Sequence, residues 1–168
     1  MILTTTERLV LRDLEDHDAA NVLLLNSDPD VLKYVHDVPF SDMDAARAWI
    51  ANIQHQLPLG IGRWAIETKD GRWIGRCSLR RYADGEVLMG YRLLREHWGN
   101  GYASETARGL LDLAFNTHDL QYVASKVARE NIASQRVMQK NGGLFWKEDV
   151  CGHFADALVY RFDRPNHG

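Results

Sequence analysis

Hydrophobic and polar positions change rhythm several times along this chain. Glu7–Leu14 (ERLVLRDL) alternates and predicts a strand. Asp16–Asn26 reads as a short helix with an aspartate near its start, and Pro29–Val35 as a further helical turn. Ser41–Leu57 predicts a better helix. Ser41 is placed to cap it, Asp44 completes an acidic capping box, and Ala46, Trp49, Ile50, Ile53 and Leu57 share one apolar face. The middle then switches to a strand meander. Arg63–Thr68 and Arg72–Tyr82 each end near an Asp-Gly pair, a strong hairpin signal, and Glu86–Leu94 is the next strand. Gly90 within it predicts a bulge or a close backbone approach.

A helix follows, with Ala103, Ala107, Leu110, Leu111 and Ala114 on its buried face. Tyr122–Val127 is another strand, and Asn131–Gly143 a capped helix ending at Gly142 in the favoured C′ position. Leu144–Val150 and His153–Asp163 close the chain as two strands. This order argues for an α+β fold with a mixed, mostly antiparallel central sheet flanked by helices. The one parallel junction joins Glu86–Leu94 to Tyr122–Val127 through the intervening helix.

Length and composition narrow the class. The 168 residues suit one domain, 1–168, and 45% apolar with 26% charged residues is ordinary for a globular protein. A net charge of −3 supplies no overall basic field for nucleic acid. No apolar stretch approaches the roughly 18 residues needed to span a bilayer, so no membrane association is expected. The opening MILTTTERLVLRD carries charge too early for a signal peptide, and Cys77 and Cys151 do not make a disulfide framework. A cytoplasmic location is the expectation.

The candidate chemistry sits in WGNGYAS, Trp98–Ser104, between a strand and a helix. The first amides of a helix lack internal partners, and its dipole adds positive charge, so an anion can dock there if no side chain intervenes. An ordinary tight turn is the alternative, because two glycines alone are a weak motif. Gly101-Tyr102-Ala103 lacks the Gly-Lys-Ser/Thr ending of a P-loop. Ser104 stands where a dinucleotide fingerprint needs its third glycine. Both nucleotide readings fail.

GYRLLREHWGNGYASETARGLLDLAF followed by NIASQRVMQKNGG resembles the GNAT acetyltransferases. TERLVLRDL resembles the opening strand of their RimJ/RimL branch. The family's acetyl-CoA motif, Gln/Arg-x-x-Gly-x-Gly/Ala, falls on Trp98, Gly99, Asn100, Gly101, Tyr102 and Ala103. Trp98 departs from Gln/Arg. A second motif falls on Asn131, Ser134, Lys140 and Gly142. The resemblance implies acetyl-CoA as cosubstrate, no metal, and an amine acceptor. It implies pyrophosphate on the amides of Trp98–Ser104, a further cofactor contact at Lys140, and a pantetheine arm between splayed strands, along the backbone of Tyr91, Arg92 and Leu93. Asn131 would touch cofactor or acceptor, although it also suits a plain N-cap. Ser134 would lie near the CoA sulfur, although it could simply bond its own helix.

A base is harder to place. Many members carry a glutamate where this chain has Leu88; Glu86 lies further back on the same face, and His153 falls near the place of a carboxylate used in the RimL-like branch. A surface role for His153 stays open. Cys151 and His153 alone would be a poor zinc site. An α-amine, with a pKa of about 7.7–8.0, needs little help from a base, whereas a lysine amine near 10.4 needs roughly 3–4 kcal/mol more. The acceptor is therefore expected to be a protein or peptide α-amine. A small-molecule amine and a non-catalytic acyl-CoA-binding module are the alternatives. Asp28–Leu57, with Asp28, Asp30, Tyr34, His36 and Asp37, is the acceptor-facing region by resemblance; its acidity suits a cation, or it is a solvated surface. Family analogy also allows a homodimer.

Overall fold

The computed structural model describes residues 1–35, 37–151 and 154–166, with the backbone alone described for 54–60, 151, 154 and 155. The strands are β1 (Ile2–Thr5), β2 (Leu9–Asp13), β3 (Ile61–Thr68), β4 (Trp73–Arg81), β5 (Val87–Leu93), β6 (Tyr122–Ala128), β7 (Leu144–Cys151) and β8 (Phe154–Asp163). The helices are α1 (Ala19–Leu25), α2 (Pro29–Leu32), α3 (Met43–Gly60), α4 (Tyr102–Asp112) and α5 (Ile132–Lys140). They form one eight-stranded sheet in the order β1-β2-β3-β4-β5-β6-β8-β7. Every neighbouring pair is antiparallel except β5 with β6. The α+β class and the single parallel junction are as the pattern predicts.

Several boundaries differ. The strand expected over Glu7–Leu14 is the shorter β2, and β1 precedes it. Half-exposed β1, with Ile2 and Leu3 adjacent and two threonines after them, carries too weak an alternation to be read from four residues. The expected helix at Asp16–Asn26 begins as a 3₁₀ turn at Asp16–Asp18 before α1. Asp42, not Ser41, caps α3, its carboxylate accepting the Ala45 N–H at 2.8 Å. Both Asp-Gly turns form, with φ of +85° at Gly71 and +87° at Gly85. Helix α5 ends in a two-bond cap: Gly143 N–H reaches the Met138 carbonyl and Gly142 N–H the Gln139 carbonyl, with φ +83° at Gly142.

The sheet separates two cores. On one face α4 and α5 cover Leu9, Leu11, Trp64, Ile66, Cys77, Met89 and Val123. On the other, α1 and α3 cover Ala65 and Leu94 with Val22, Leu25, Ala46 and Ile50. The site lies where the sheet opens between these faces. β4 and β5 pair without a register shift from Gly75↔Leu93 to Arg81↔Val87, so Gly90 is not a bulge. β5 and β6 share only one paired position, Leu88↔Ala124. There the Ser125 hydroxyl donates to the Met89 carbonyl at 3.0 Å, bonding a backbone group at the split. The opening comes from strand divergence, and glycine at position 90 keeps its floor free of a side chain.

Candidate active site

The loop from Trp98 to Gly101 is shaped by two residues in the left-handed region, Gly99 at φ +76° and Gly101 at φ +79°. Any side chain at either would be strained. Around Gly99 a Cβ would meet nothing within 4 Å, so this stretch of loop faces open space. Gly101 is the N-cap of α4, and the first full helical bond runs from Glu105 N–H to its carbonyl. The amides of Tyr102, Ala103 and Ser104 precede that bond and lack a helical acceptor.

Side chains fix the loop from both ends. The Trp98 indole N–H donates to the Leu93 carbonyl at 2.9 Å. Asn100 turns back on its own loop, its amide donating to the carbonyls of His97 and Trp98. Ser104 is buried, and its hydroxyl accepts from the Asn141 amide at 3.1 Å, tying α4 to the end of α5.

The turn between β1 and β2 supplies a brace that the sequence reading missed. Glu105, buried in the first turn of α4, accepts from the Thr6 hydroxyl at 2.5 Å, the Arg8 N–H at 2.6 Å and Arg8 Nε at 2.7 Å. Arg8 Nη1 in turn donates to the Asn100 carbonyl at 2.9 Å, and its guanidinium lies 4.7 Å from the Tyr102 ring centroid. Burial opposes the Glu105 charge, but Thr6 and Arg8 outweigh it and hold its carboxyl below the ordinary value. A glutamate at the fourth position of the helix, between the apolar-face residues Ala103 and Ala107, was the available signal.

Asn131 caps α5, its side-chain oxygen accepting the Ser134 N–H at 3.2 Å. The Ser134 hydroxyl lies 3.0 Å from the Tyr91 hydroxyl. Burial raises the Tyr91 pKa against the smaller opposing effect of Ser134, so this phenol keeps its proton at neutral pH. The sequence reading used only the backbone of Tyr91; its side chain joins the site because odd positions of β5 face α5.

Alternation also divides the strand's polar groups. Leu94 N–H bonds to Ile74 of β4, whereas the Met89 carbonyl meets Ser125 of β6. By the same alternation, Tyr91 and Leu93 direct backbone groups towards the split, and Arg92 directs its own to β4. The Arg92 side chain emerges on the opposite face, beside α1. There Arg92 Nη1 donates to Asp37 at 2.7 Å and to Asn26 at 3.0 Å.

One continuous cavity of about 1040 Å³ runs through the split. It is lined by the glycine loop, Tyr91, Asn131, Ser134 and Lys140 on one side, and by Trp49, Arg63, Arg76 and Arg92 on the other. The chain belongs to the GNAT acetyltransferase family. The model of the acetyltransferase (GNAT) domain matches residues 8–143. The uncharacterized N-acetyltransferase p20 of Bacillus licheniformis is 36% identical over 164 residues, covering 92% of each chain. Among solved structures, the RimL ribosomal L7/L12 alpha-N-protein acetyltransferase in complex with coenzyme A superposes with a TM-score of 0.84 at 17% identity, covering 98% of each chain. Spermidine N-acetyltransferase of Vibrio cholerae, in complex with CoA and spermine, gives 0.80 at 21%, covering 93% of this chain and 95% of that one. At such identities both neighbours speak to the fold.

This GNAT domain is an acyltransferase of a family that uses acetyl-CoA. The residues present fit that cosubstrate: two left-handed glycines, of which Gly99 faces open space, lead into helix amides without helical acceptors, and the split gives a path between the faces. Leu88, at the position where the family resemblance implies a glutamate base, lines the cavity. Glu86 lies 3.6 Å from Lys147 and is not part of the cavity wall. His153, the candidate base, and His36 lie outside the described residues. Among the described residues no group of three or more metal-ligating side chains occurs, and no helix is long and apolar enough to cross a membrane.

Proposed function

We propose that this protein transfers the acetyl group of acetyl-CoA to an α-amine, with a peptide or protein N-terminus as the leading acceptor. The observation that carries the reading is the Tyr91–Ser134 hydroxyl pair at the split, in a cavity wall with no glutamate at Leu88. The RimJ/RimL-like assignment belongs to this proposal and rests on the Trp98–Ala103 and Asn131–Gly142 motifs.

Acetyl-CoA would supply an activated thioester carbonyl. The amides of Gly99–Ser104 would hold its pyrophosphate, Lys140 would add a cation, and the backbone of Tyr91 and Leu93 would align its arm. An incoming α-amine is neutral in appreciable fraction near pH 7.5, so its own basicity meets most of the demand. Ser134 would donate a hydrogen bond to the sulfur as negative charge develops there. Tyr91, protonated at neutral pH, would hold the serine hydroxyl by hydrogen bonding; the C–S bond breaks as the C–N bond forms, and the proton lost by the amine balances the one the departing thiolate takes up through solvent. Asn131 would keep Ser134 in place by capping its helix. A cytoplasmic location fits the buried, unpaired thiol of Cys77.

The test is thiol release from acetyl-CoA with matched peptides. Peptides with a free α-amine should be acetylated faster than N-blocked peptides carrying only lysine, from pH 7 to 9. Preference for the lysine amine would overturn the α-amine reading. Tight acetyl-CoA binding with no thiol release from any peptide or small amine would favour a non-catalytic binding module.

A further inference from the structure

Four arginines share the sheet face opposite the glycine loop. Strand register makes this unavoidable. Arg63 of β3 pairs with Ser78, and Ala65 with Arg76; Arg76 and Arg80 of β4 pair with Arg92 and Leu88 of β5. Paired residues stand on the same side of a pleated sheet, and positions two apart keep that side. Arg63, Arg76, Arg80 and Arg92 therefore point one way, around the mouth of the split.

Their charge is poorly balanced. Arg76 and Arg92 are direct cross-strand partners, an arrangement that destabilises unless an anion lies between them. Asp37 is that anion, one oxygen lying 3.1 Å from Arg76 and 2.7 Å from Arg92. A single carboxylate thus serves two nearly buried guanidiniums. The Trp49 ring has Arg76 at 4.7 Å and Arg63 at 5.9 Å. Among the described residues, neither Arg63 nor Arg80 has a carboxylate within ion-pair distance. Arg76 Nε is buried without an acceptor among those residues. Burial and then Arg92 pull the Arg76 pKa down to about 9, despite Asp37. The other nearby carboxylates are already committed: Asp28 and Asp30 both pair with Arg95. The acidity of this segment in the sequence is thus spent on arginines, and the cavity wall is cationic.

We infer that the acceptor of this enzyme carries an anionic group, a carboxylate or a phosphate, close to its reactive amine, and that Arg63, Arg76, Arg80 and Arg92 bind that group. The amine part rests on the acetyl-transfer reading above; the anion subsite stands on the arginines themselves. An entering anion would complete the cluster that Asp37 half neutralises. It would also orient the amine, because the arginines lie across the split from Ser134. A polycation such as spermine would instead add like charge.

Two measurements test this separately. The first is kinetics with three tetrapeptides of one length and a free α-amine, carrying Asp, Asn or Lys at the second position. The aspartate peptide should exceed the asparagine peptide by about ten- to a hundredfold in kcat/KM, chiefly through KM, with the lysine peptide slowest. The double variant R63Q/R80Q should bring the Asp-to-Asn ratio to within about twofold, a charge-assisted bond being lost at each arginine. Equal use of Asp and Asn peptides by an active enzyme, or preference for Lys, overturns the inference. The second is the melting temperature in inorganic phosphate, with CoA saturating so that the glycine loop is filled. Wild type should be stabilised by phosphate and R63Q/R80Q by less than half as much; equal shifts overturn the anion subsite. If no peptide releases thiol while the arginine-dependent phosphate shift persists, the subsite stands and the α-amine reading fails.

Discussion

The two faces of this sheet present hydrogen-bond donors to the cavity by opposite means. On the α4–α5 face the donors are backbone amides, positioned by two left-handed glycines and a helix start. On the α1–α3 face they are guanidinium side chains from three strands, set around Asp37. The first arrangement depends on the absence of side chains, so one added side chain can fill it. The second depends on side-chain number, so losing one arginine should weaken it by degrees. The same bias towards anions therefore has different fragility on each face.

The largest expected effect follows from that difference. Gly101→Glu places a carboxylate and a strained backbone at φ +79°, with the new Cβ 3.3 Å from Arg8. Acetyl-CoA binding should weaken by at least about a thousandfold, or about 4 kcal/mol. Calorimetry measures it. Arginine-dependent peptide selectivity at high acetyl-CoA should survive, which would show the faces to be separable.

Ser134→Ala removes the hydroxyl at the junction of the two faces. A thiolate is a good leaving group, with a reference pKa near 8.5, so on the proposed mechanism a donor would help without being indispensable. We expect kcat to fall by about ten- to a thousandfold, roughly 1.4–4 kcal/mol, with acetyl-CoA affinity nearly unchanged. Tyr91→Phe should lose less, because Ser134 keeps its own hydroxyl. An unchanged kcat in a folded Ser134→Ala variant would reduce the serine to a helix-start residue.

Asp37→Asn probes the arginine face. Burial opposes the Asp37 charge, but Arg92 and Arg76 outweigh it and hold its carboxyl below the ordinary value. Its side chain is 40% exposed, so solvent screens part of the pairing. Loss of stability of about 1–2 kcal/mol is expected at pH 7, read by denaturant unfolding. Bound phosphate should restore more stability to this variant than to wild type, because the arginines then lack their internal anion.

These faces also differ in how much the sequence disclosed. The glycine loop, Asn131 and Ser134 are local features: cap, turn and helix start lie within a few residues of each other. The α+β order and the parallel junction came from periodicity in the same way. The arginine face depends on register. Arg63, Arg76, Arg80 and Arg92 meet only after β3, β4 and β5 pair, and Asp37 arrives from a loop 39 residues before Arg76. Reading Asp28, Asp30 and Asp37 as an acidic acceptor region ignored their partners, which lie on other strands. Arg8 was hidden similarly, since its contacts to Glu105 and Asn100 span nearly a hundred residues.

The smallest expected effect tests how tightly the glycine face is braced. Glu105 has a depressed pKa because Thr6 and Arg8 donate to its ionised form. Such a group contributes stability that is fully present above its unfolded value, near 4.3. That contribution falls as pH drops below this value and is gone below the depressed folded pKa. Glu105→Gln keeps one acceptor oxygen but turns an amide towards the Arg8 donors. At pH 7 it should cost about 1–2 kcal/mol, or roughly 3–8 °C in Tm. Below about pH 4.3 the difference between variant and wild type should shrink, because the unfolded wild-type chain then takes up a proton, and it should vanish once the folded carboxyl is protonated as well. Arg8 would hold the Asn100 carbonyl less firmly, so acetyl-CoA affinity should fall by a few-fold while the Asp-to-Asn peptide ratio stays fixed. Melting curves from pH 3 to 8, with calorimetry at pH 7, separate the two readouts. A constant difference in Tm across that range would mean that Glu105 stabilises the fold by packing alone, and that the charge brace beneath the loop contributes nothing measurable.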